Sequence, residues 1–367
     1  MDKTDVVEIR MDTRIVGRLA LTKDHLCAFE YDTEFIKNGY SVSPYFLPLQ
    51  QGLFVAKREP FLGGFGVFDD SLPDGWGNLI LDRYLSQRGI TPEKLTLLQR
   101  LSLVGSGGRG ALEYFPDKSV SIETGLVDFD RLAAETEKIL TSEYTGDYLD
   151  TLYKYGGSSG GARPKIFVKI NEKYWLVKFK ASIDPQNIGQ MEYEYSLLAR
   201  KCGINMPDTC LFENKYFGVE RFDRTALGKI HTVSAAGLLN ADYRIPSLDY
   251  SVLLKICFNL TRDMEEVYAL FRLMVFNIAI SNRDDHAKNF SFQYKNGVWK
   301  LSPAYDILPS TGFNGHHTTT VNGQGEPAMK DILLVASEAG IQKKRAGEII
   351  EQVIETCRAE NKLNRKI

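Results

Sequence analysis

The sequence lacks the features that mark membrane, secreted and disulfide-rich proteins. No apolar run approaches ~18 residues, and no basic segment followed by an apolar stretch opens the chain. The five cysteines are scattered and form no C-x-x-C pair. We therefore expect reduced, buried thiols in a soluble cytoplasmic protein.

An excess of charge of one sign, internal repeats and low-complexity tracts are also missing. The 45 Lys and Arg nearly balance the 47 Asp and Glu, which argues against broad nonspecific nucleic-acid binding by this chain alone. The chain does have length and apolar content. Its 367 residues, 43% of them hydrophobic, can bury a large core in two or three domains.

The most informative stretch is residues 277–306, which ends a long apolar helix and continues as a polar loop and a β-hairpin. The helix is predicted to run from Met264 to Ile280, with Asp263 as N-cap and Glu266 at capping-box spacing. Because it is apolar nearly all round, we expect it to lie inside a helical domain.

The hairpin is predicted from Asn296-Gly297, which supplies the residues of a two-residue turn. That turn fixes which residues lie opposite each other: Phe292 with Leu301, Tyr294 with Trp299, and Gln293 with Lys300.

The loop between helix and hairpin has the spacing of a phosphoryl-transfer site. Asp284 lies five residues before Asn289, and Asp306 follows the hairpin; protein kinases order their catalytic Asp and two metal-binding residues in this way. We predict Asp284 as the catalytic residue and Asn289 and Asp306 as Mg²⁺ ligands. The alternative is an ordinary polar surface loop. Asp285 has the wrong spacing and is expected to face solvent or cap the loop.

Two glycine-rich segments are candidates for a phosphate loop. In residues 156–165, GGSSGGARPK, small residues let backbone amides approach phosphates. On a strand predicted over residues 174–180, Lys178 faces away from Trp175 and is placed to reach those phosphates; a solvated edge charge is the alternative. Residues 105–110 precede a strand rather than a helix, which favours a plain flexible turn.

Further along, the pattern is that of a kinase small lobe followed by a helical lobe. A helix predicted over residues 187–202 carries Glu192 and Glu194, of which Glu192 is our choice as ion-pair partner of Lys178; a solvated position on the helix surface is the alternative. Two strands are then predicted, over residues 209–213 and 216–222. The end of the second, with Glu220 and Phe222, is where a hinge would hold an adenine through backbone groups. The sequence thus predicts an α+β, bilobal, protein-kinase-like fold with an N-terminal β-rich subdomain.

We divide the chain into an N-terminal subdomain over residues 1–115, a small lobe over 116–225 and a large lobe over 226–367. A helix is predicted over residues 91–103. His316 and His317 are placed in a mobile surface loop.

Four motifs in this order resemble those of HipA-type serine/threonine kinases, the toxins of bacterial toxin–antitoxin modules. They are GGSSGGARPK at 156–165, VERFDR at 219–224, NRDDHAKNF at 282–290 and LSPAYDIL at 301–308. FDDSLPDGWG at 68–77 resembles the family's N-terminal subdomain. The resemblance covers nearly the whole chain.

The resemblance implies transfer of the ATP γ-phosphate to a protein hydroxyl, with aminoacyl-tRNA synthetases as targets known in the family. It also implies inhibitory autophosphorylation on Ser158, with Ser159 as the neighbouring alternative, and a separate helix-turn-helix antitoxin that binds operator DNA. The predicted ATP-binding residues are Gly160, Gly161, Ala162, Lys165, Lys178, Glu220, Phe222, His286 and Lys288.

Two other functions stay open. A small-molecule phosphotransferase would share the kinase lobes. A non-catalytic corepressor would bind an antitoxin–DNA complex, although the presence of every predicted catalytic residue argues against it.

Overall fold

A computed structural model describes residues 4–120, 127–140, 148–157, 160–312 and 314–365. The chain divides into two compact units. The first comprises Met1–Gln190, Asp208–Val233 and Gly237–Leu239, and the second Met191–Pro207, Ser234–Ala236 and Asn240–Ile367.

The first unit begins with a five-stranded antiparallel sheet. Its strands are β1 (Val6–Met11), β2 (Arg14–Leu21), β3 (Cys27–Tyr31), β4 (Leu53–Val55) and β5 (Glu113–Phe115), in the order β4-β3-β2-β1-β5. Val7, Ile9 and Met11 alternate with more exposed neighbours, so one face of β1 is buried.

Six α-helices are described in this unit. They are α1 (Thr33–Asn38), α2 (Gly66–Asp69), α3 (Gly75–Gln87), α4 (Leu97–Val104), α5 (Phe129–Leu140) and α6 (Leu149–Gly156). The single helix predicted over residues 91–103 is wrong. A short 3₁₀ turn, Pro92–Lys94, is followed by a new start at Thr96, because Thr96 and Gln99 form a reciprocal capping box.

A second antiparallel sheet completes the first unit. It contains β6 (Lys165–Ile170), β7 (Lys173–Lys178), β8 (Thr209–Phe212) and β9 (Tyr216–Glu220), in the order β6-β7-β9-β8. Trp175 and Val177 of β7, and Phe179 directly after it, pack into a common core with Trp76 and Tyr153, as predicted for one face of this strand. A two-stranded ribbon, β10 (Arg224–Thr225) and β11 (Gly228–Lys229), follows.

Three elements contain residues of both units: α7 (Ile188–Lys201), β12 (His231–Ser234) and α8 (Ala235–Leu239). The remaining elements belong to the second unit, which is mainly helical. They are β13 (Leu248–Asp249), α9 (Tyr250–Thr261), α10 (Met264–Ala279), β14 (Ser291–Lys295), β15 (Val298–Leu301), β16 (Thr319–Thr320), α11 (Met329–Glu338) and α12 (Lys343–Ala359).

Helix α10 is the buried helix that the sequence predicts. Ten of its residues are buried, and Asp263 is its N-cap, accepting a hydrogen bond from Glu265 N at 2.9 Å. The predicted capping box is wrong, because the Glu266 carboxylate instead accepts from Leu301 N at 3.1 Å. Glu266 therefore joins the helix to the hairpin.

The hairpin of β14 and β15 has the predicted register, with Phe292 opposite Leu301 and Tyr294 opposite Trp299. Its Asn296-Gly297 turn has positive φ at both residues, as such turns require. In the part of the chain that the structure describes, no helix has the length and apolar character needed to cross a membrane.

Candidate active site

The predicted catalytic loop and the segment after the hairpin are joined by one polar network in the second unit. Asn282 donates from Nδ2 to Asn277 Oδ1 at 3.1 Å and to Asp306 O at 3.5 Å. Ser310 Oγ donates to Asn282 Oδ1 at 3.3 Å and accepts from Asp284 N at 2.8 Å. The backbones that carry Asp284 and Asp306 are therefore held side by side.

The oxygen-bearing side chains at this point are of the kind that Mg²⁺ prefers. Asp284 and Asp306 are exposed, and Asn289 is half-buried. Asn289 donates from Nδ2 to Asp284 O at 2.6 Å, so Oδ1 is the atom with which it could accept a cation. Asp306 has a φ of +56°, a backbone conformation that is uncommon outside glycine and concentrates at functional sites. The three side chains offer the types of oxygen donor that suit a magnesium ion, and the binding of one ion by Asn289 and Asp306 stays a prediction.

Asp285 does not face solvent, so the first of its two predicted roles, a solvent-exposed charge, is wrong. Its buried carboxylate accepts from Tyr250 OH at 2.9 Å, lies 3.0 Å from His317 Nδ1, and accepts from Thr318 N at 2.9 Å and Thr319 N at 3.2 Å. Four donors offset the desolvation of one carboxylate. His317 is also buried, so its placement on a mobile surface is wrong too.

Sequence reasoning missed Asp285 and Asn282 as the residues that organise the loop. The donors to Asp285 lie more than thirty residues away in the chain, as Tyr250 and His317 do, so no local pattern points to them. The one available signal is the pair of adjacent aspartates, because neighbouring side chains of an extended loop point in different directions.

His286 and Lys288, predicted ATP contacts, lie in the same loop. His286 accepts from Lys288 N at its Nδ1, at 3.2 Å, and so caps the short 3₁₀ turn Ala287–Asn289. Lys288 is buried, and its Nζ lies 3.9 Å from the centroid of the Tyr243 ring. The structure keeps both residues beside Asn289, and their contact with nucleotide stays a prediction.

The predicted phosphate loop belongs to the first unit. Gly160, Gly161 and Ala162 are exposed, while Ser158 and Ser159 lie outside the described residues. Lys165 is buried and reaches back to this loop: a Cβ on Gly161 would lie 2.4 Å from Lys165 Nζ. The β6–β7 ladder pairs Lys165 with Lys178.

The other predicted nucleotide residues fall at strand ends and on a helix. Lys178 ends β7, and its Nζ lies 5.7 Å from the centroid of the Phe217 ring. Glu220 ends β9, its Oε2 accepts from Lys173 Nζ at 2.7 Å, and half-buried Phe222 follows it. Glu192 is buried on α7 in the second unit. Its pairing with Lys178 stays a prediction.

A buried ion network follows the predicted hinge. Asp223 lies 2.8 Å from Arg221 Nη2 and 2.9 Å from Arg224 Nη1, and it accepts from Gly110 N at 2.8 Å. Burial alone would raise the pKa of Asp223, but the two guanidinium groups outweigh it and hold that pKa below its usual range. Burial lowers the pKa of Arg224 to about 10.

The same network holds the glycine-rich residues 105–110. Arg224 donates from Nη2 to Gly108 O and from Nη1 to Gly110 O, both at 2.7 Å. The segment's backbone is therefore engaged with protein side chains, and the interpretation as a plain flexible turn is incomplete.

Two family models match this chain. Residues 157–360 match the HipA-like C-terminal domain, and residues 7–115 match the HipA N-terminal domain. The first match alone covers more than half of the 367 residues.

Curated relatives and a solved structure extend over most of the chain. The putative kinase Y4dM of Sinorhizobium fredii is 23% identical, with 98% of this chain and 92% of the relative covered. The putative kinase Y4mE of the same organism is 25% identical, with 84% and 78% covered. HipA of Shewanella oneidensis, solved with HipB and operator DNA, has a TM-score of 0.72 at 16% identity, covering 98% of this chain and 92% of that one. This similarity confirms the predicted fold.

Proposed function

The chain belongs to the HipA family, and from that premise we propose that it is an ATP- and Mg²⁺-dependent protein serine/threonine kinase that acts as a toxin. The observation that carries the proposal is the polar network of Asn282 and Ser310, which holds the backbones of Asp284 and Asp306 together. Kinase chemistry needs a carboxylate for the hydroxyl and a carboxylate for the metal in that arrangement. Two relatives named as putative kinases support the same activity.

Asp284 is the residue that meets the target hydroxyl. It orients the hydroxyl and accepts its proton as the oxygen attacks the γ-phosphorus; the bond to the β-phosphate oxygen breaks and ADP leaves. Asn289 and Asp306 would hold Mg²⁺, which when bound neutralises charge on the β- and γ-phosphates. Asn289 has a second task, because its bond to Asp284 O fixes the catalytic loop.

The residues of the first unit bind the nucleotide. The amides of Gly160, Gly161 and Ala162 approach the phosphates, and Lys165 and Lys178 add positive charge. Glu192 pairs with Lys178. The backbone groups of Glu220 and Phe222 hold the adenine, and His286 and Lys288 of the second unit contact the phosphates.

Autophosphorylation of Ser158, or of Ser159 beside it, would switch the enzyme off. A phosphoserine is a bulky dianion that hydrogen-bonds the same backbone amides as a nucleotide phosphate. Next to Gly160 and Gly161 it would compete with ATP. The protein target we propose is an aminoacyl-tRNA synthetase, phosphorylated in the cytoplasm.

The proposed partners are a separate HipB-like helix-turn-helix antitoxin and, through it, operator DNA. The solved HipA structure contains HipB and operator DNA. The near-neutral charge of this chain, net −2, suits DNA contact through a partner rather than alone.

Labelled ATP incubated with the protein and a cell lysate tests the proposal. We expect one discrete labelled protein from the wild type, none from Asp284→Ala, and calorimetric ATP binding by both. Glu351→Ala, at an exposed position of α12, is the matched control and keeps full activity. An active Asp284→Ala variant contradicts the assignment.

Two other outcomes identify the alternative functions. Labelled metabolites without a labelled protein indicate a small-molecule phosphotransferase. Absence of ATP binding indicates a non-catalytic corepressor. Toxicity is tested separately: overproduced wild type should slow growth, whereas overproduced Asp306→Ala should not, and equal growth refutes the toxin assignment.

A further inference from the structure

The N-terminal half of the first unit holds the predicted phosphate loop at its central glycine. Trp76 N donates to Gly161 O at 3.0 Å. The carboxylate of Asp74 accepts a hydrogen bond from Gly161 N. Both backbone groups of Gly161 are thus bound by a segment that begins at Asp74, 87 residues earlier in the chain.

The segment that makes these contacts is itself firmly anchored. Trp76 is 1% exposed and packs in the core with Ile80 and Ile166. Its indole Nε1 donates to Lys165 O at 3.1 Å. Trp76 therefore fixes both the loop, through Gly161, and the start of β6, through Lys165.

Glycines make this close approach possible. A Cβ on Gly75 would lie 2.7 Å from Gly161 O and 2.8 Å from Ala162 Cα. Gly75 also has a φ of +32°, which side-chain-bearing residues rarely adopt. On the other side, a Cβ on Gly156 would lie 2.8 Å from Lys165 O. The segment around Asp74 and the phosphate loop are in backbone-to-backbone contact.

We propose that Asp74 and Gly75 are positioning residues for the nucleotide-binding loop, so that the HipA N-terminal domain sets the conformation in which the loop meets ATP. The inference rests on the proposed kinase function. A loop that cradles phosphates binds them well only when its amides are already oriented, because ordering it during binding costs affinity. A hydrogen bond from an amide to a carboxylate is among the stronger ones that can impose such order.

The proposal has a kinetic consequence that distinguishes it from a purely electrostatic role. Asp74 acts on the loop and not on the reacting atoms, so its loss should raise KM for ATP and leave kcat nearly unchanged. If the carboxylate chiefly repelled the phosphates, its loss would lower KM for ATP instead. Asn keeps an acceptor oxygen for Gly161 N and should restore a KM close to the wild-type value.

The experiment measures KM for ATP, kcat and thermal melting on the full chain. For Asp74→Ala we expect KM to rise about tenfold, the effect of losing one charge-assisted hydrogen bond at a half-buried site. Asp74→Asn should stay within about threefold of wild type. Gly75→Ala should also raise KM, because its methyl group pushes on Gly161 and Ala162.

Asp117→Ala is the matched control. Asp117 likewise accepts from backbone amides beside a glycine-rich turn, Ser106 N at 3.0 Å and Ser119 N at 2.8 Å, but that turn has no proposed role in ATP binding. Its KM should equal the wild-type value.

Calorimetric titration with ATP makes the outcome independent of turnover. Unchanged or tighter ATP binding by Asp74→Ala overturns the inference. An equal loss of ATP affinity in Asp74→Ala and Asp117→Ala also overturns it. If Asp74→Ala does not fold, the ATP affinity of Gly75→Ala is judged by the same criterion: weaker binding supports the inference, and unchanged or tighter binding overturns it. A wild type that binds no ATP or transfers no phosphate refutes the proposed function itself, a result distinct from any difference between variants.

Discussion

Nδ1 of His317 lies 3.0 Å from Oδ2 of Asp285, and neither side chain has any exposed surface. An ionised carboxylate only accepts hydrogen bonds, so His317 is the donor. Because Asp285 adjoins the predicted catalytic Asp284, a buried carboxylate fixes the backbone of the loop next to an exposed one. Two adjacent aspartates thus differ in role: Asp285 supports the structure of the loop, and Asp284 has the proposed catalytic role.

Asp285→Asn should lower the free energy of unfolding by about 2–4 kcal/mol, because the amide group of Asn would face the donors Tyr250 OH and His317 Nδ1. Urea denaturation measures the change. Asp284→Asn is the control: it removes an exposed carboxylate one residue away and should change stability by less than about 0.5 kcal/mol. An equal loss of unfolding free energy in the two variants would refute a structural role that belongs to Asp285 and not to Asp284.

Asp306→Asn should raise the Mg²⁺ concentration that gives half-maximal phosphotransfer about tenfold or more, because a charged ligand becomes a neutral one of the same shape. The measurement is a Mg²⁺ titration at fixed ATP, and a chelator should abolish activity in the wild type. Excess Mg²⁺ should restore part of the activity of the variant. A titration curve identical to that of the wild type would remove Asp306 from the proposed metal site.

Local signals predicted those parts of the fold whose determinants lie within a few residues of each other. Asn296-Gly297 determines the register of β14 and β15 by its own backbone preference, and the predicted pairing of Phe292 with Leu301 is confirmed. Asp263 caps α10 for the same reason, since the group that it caps is two residues away.

The sequence could not predict contacts whose partners are distant in the chain. Glu266 has the spacing of a capping box, but its carboxylate accepts a hydrogen bond from Leu301 N, 35 residues away, instead of from the start of its own helix. Likewise, nothing near Gly161 in the sequence indicates that Asp74 binds it. Such contacts depend on how the elements pack, and the contact between Asp74 and Gly161 shows that they extend to the predicted phosphate loop.

Asp223→Asn should destabilise the protein by about 3 kcal/mol, because it leaves the buried guanidinium groups of Arg221 and Arg224 without a counter-charge. Urea denaturation measures the loss. Asp150→Asn is the control, since its ion pair with Arg88 is exposed and should contribute less than about 1 kcal/mol. Comparable effects at the two positions would mean that the buried network contributes no more than a surface ion pair.

His231 should make the protein sensitive to acid. Burial lowers the pKa of His231 from 6.5 to about 4. In the folded protein the neutral imidazole donates a hydrogen bond from Nε2 to Val42 O at 2.9 Å. The unfolded chain takes up this proton near pH 6.5 and the folded one only near 4, so the free energy of unfolding should fall by about 3 kcal/mol across that window. His231→Gln should remove this part of the decline in urea denaturation, and exposed His25→Gln should not. Parallel curves for all three proteins would show that His231 titrates alike folded and unfolded.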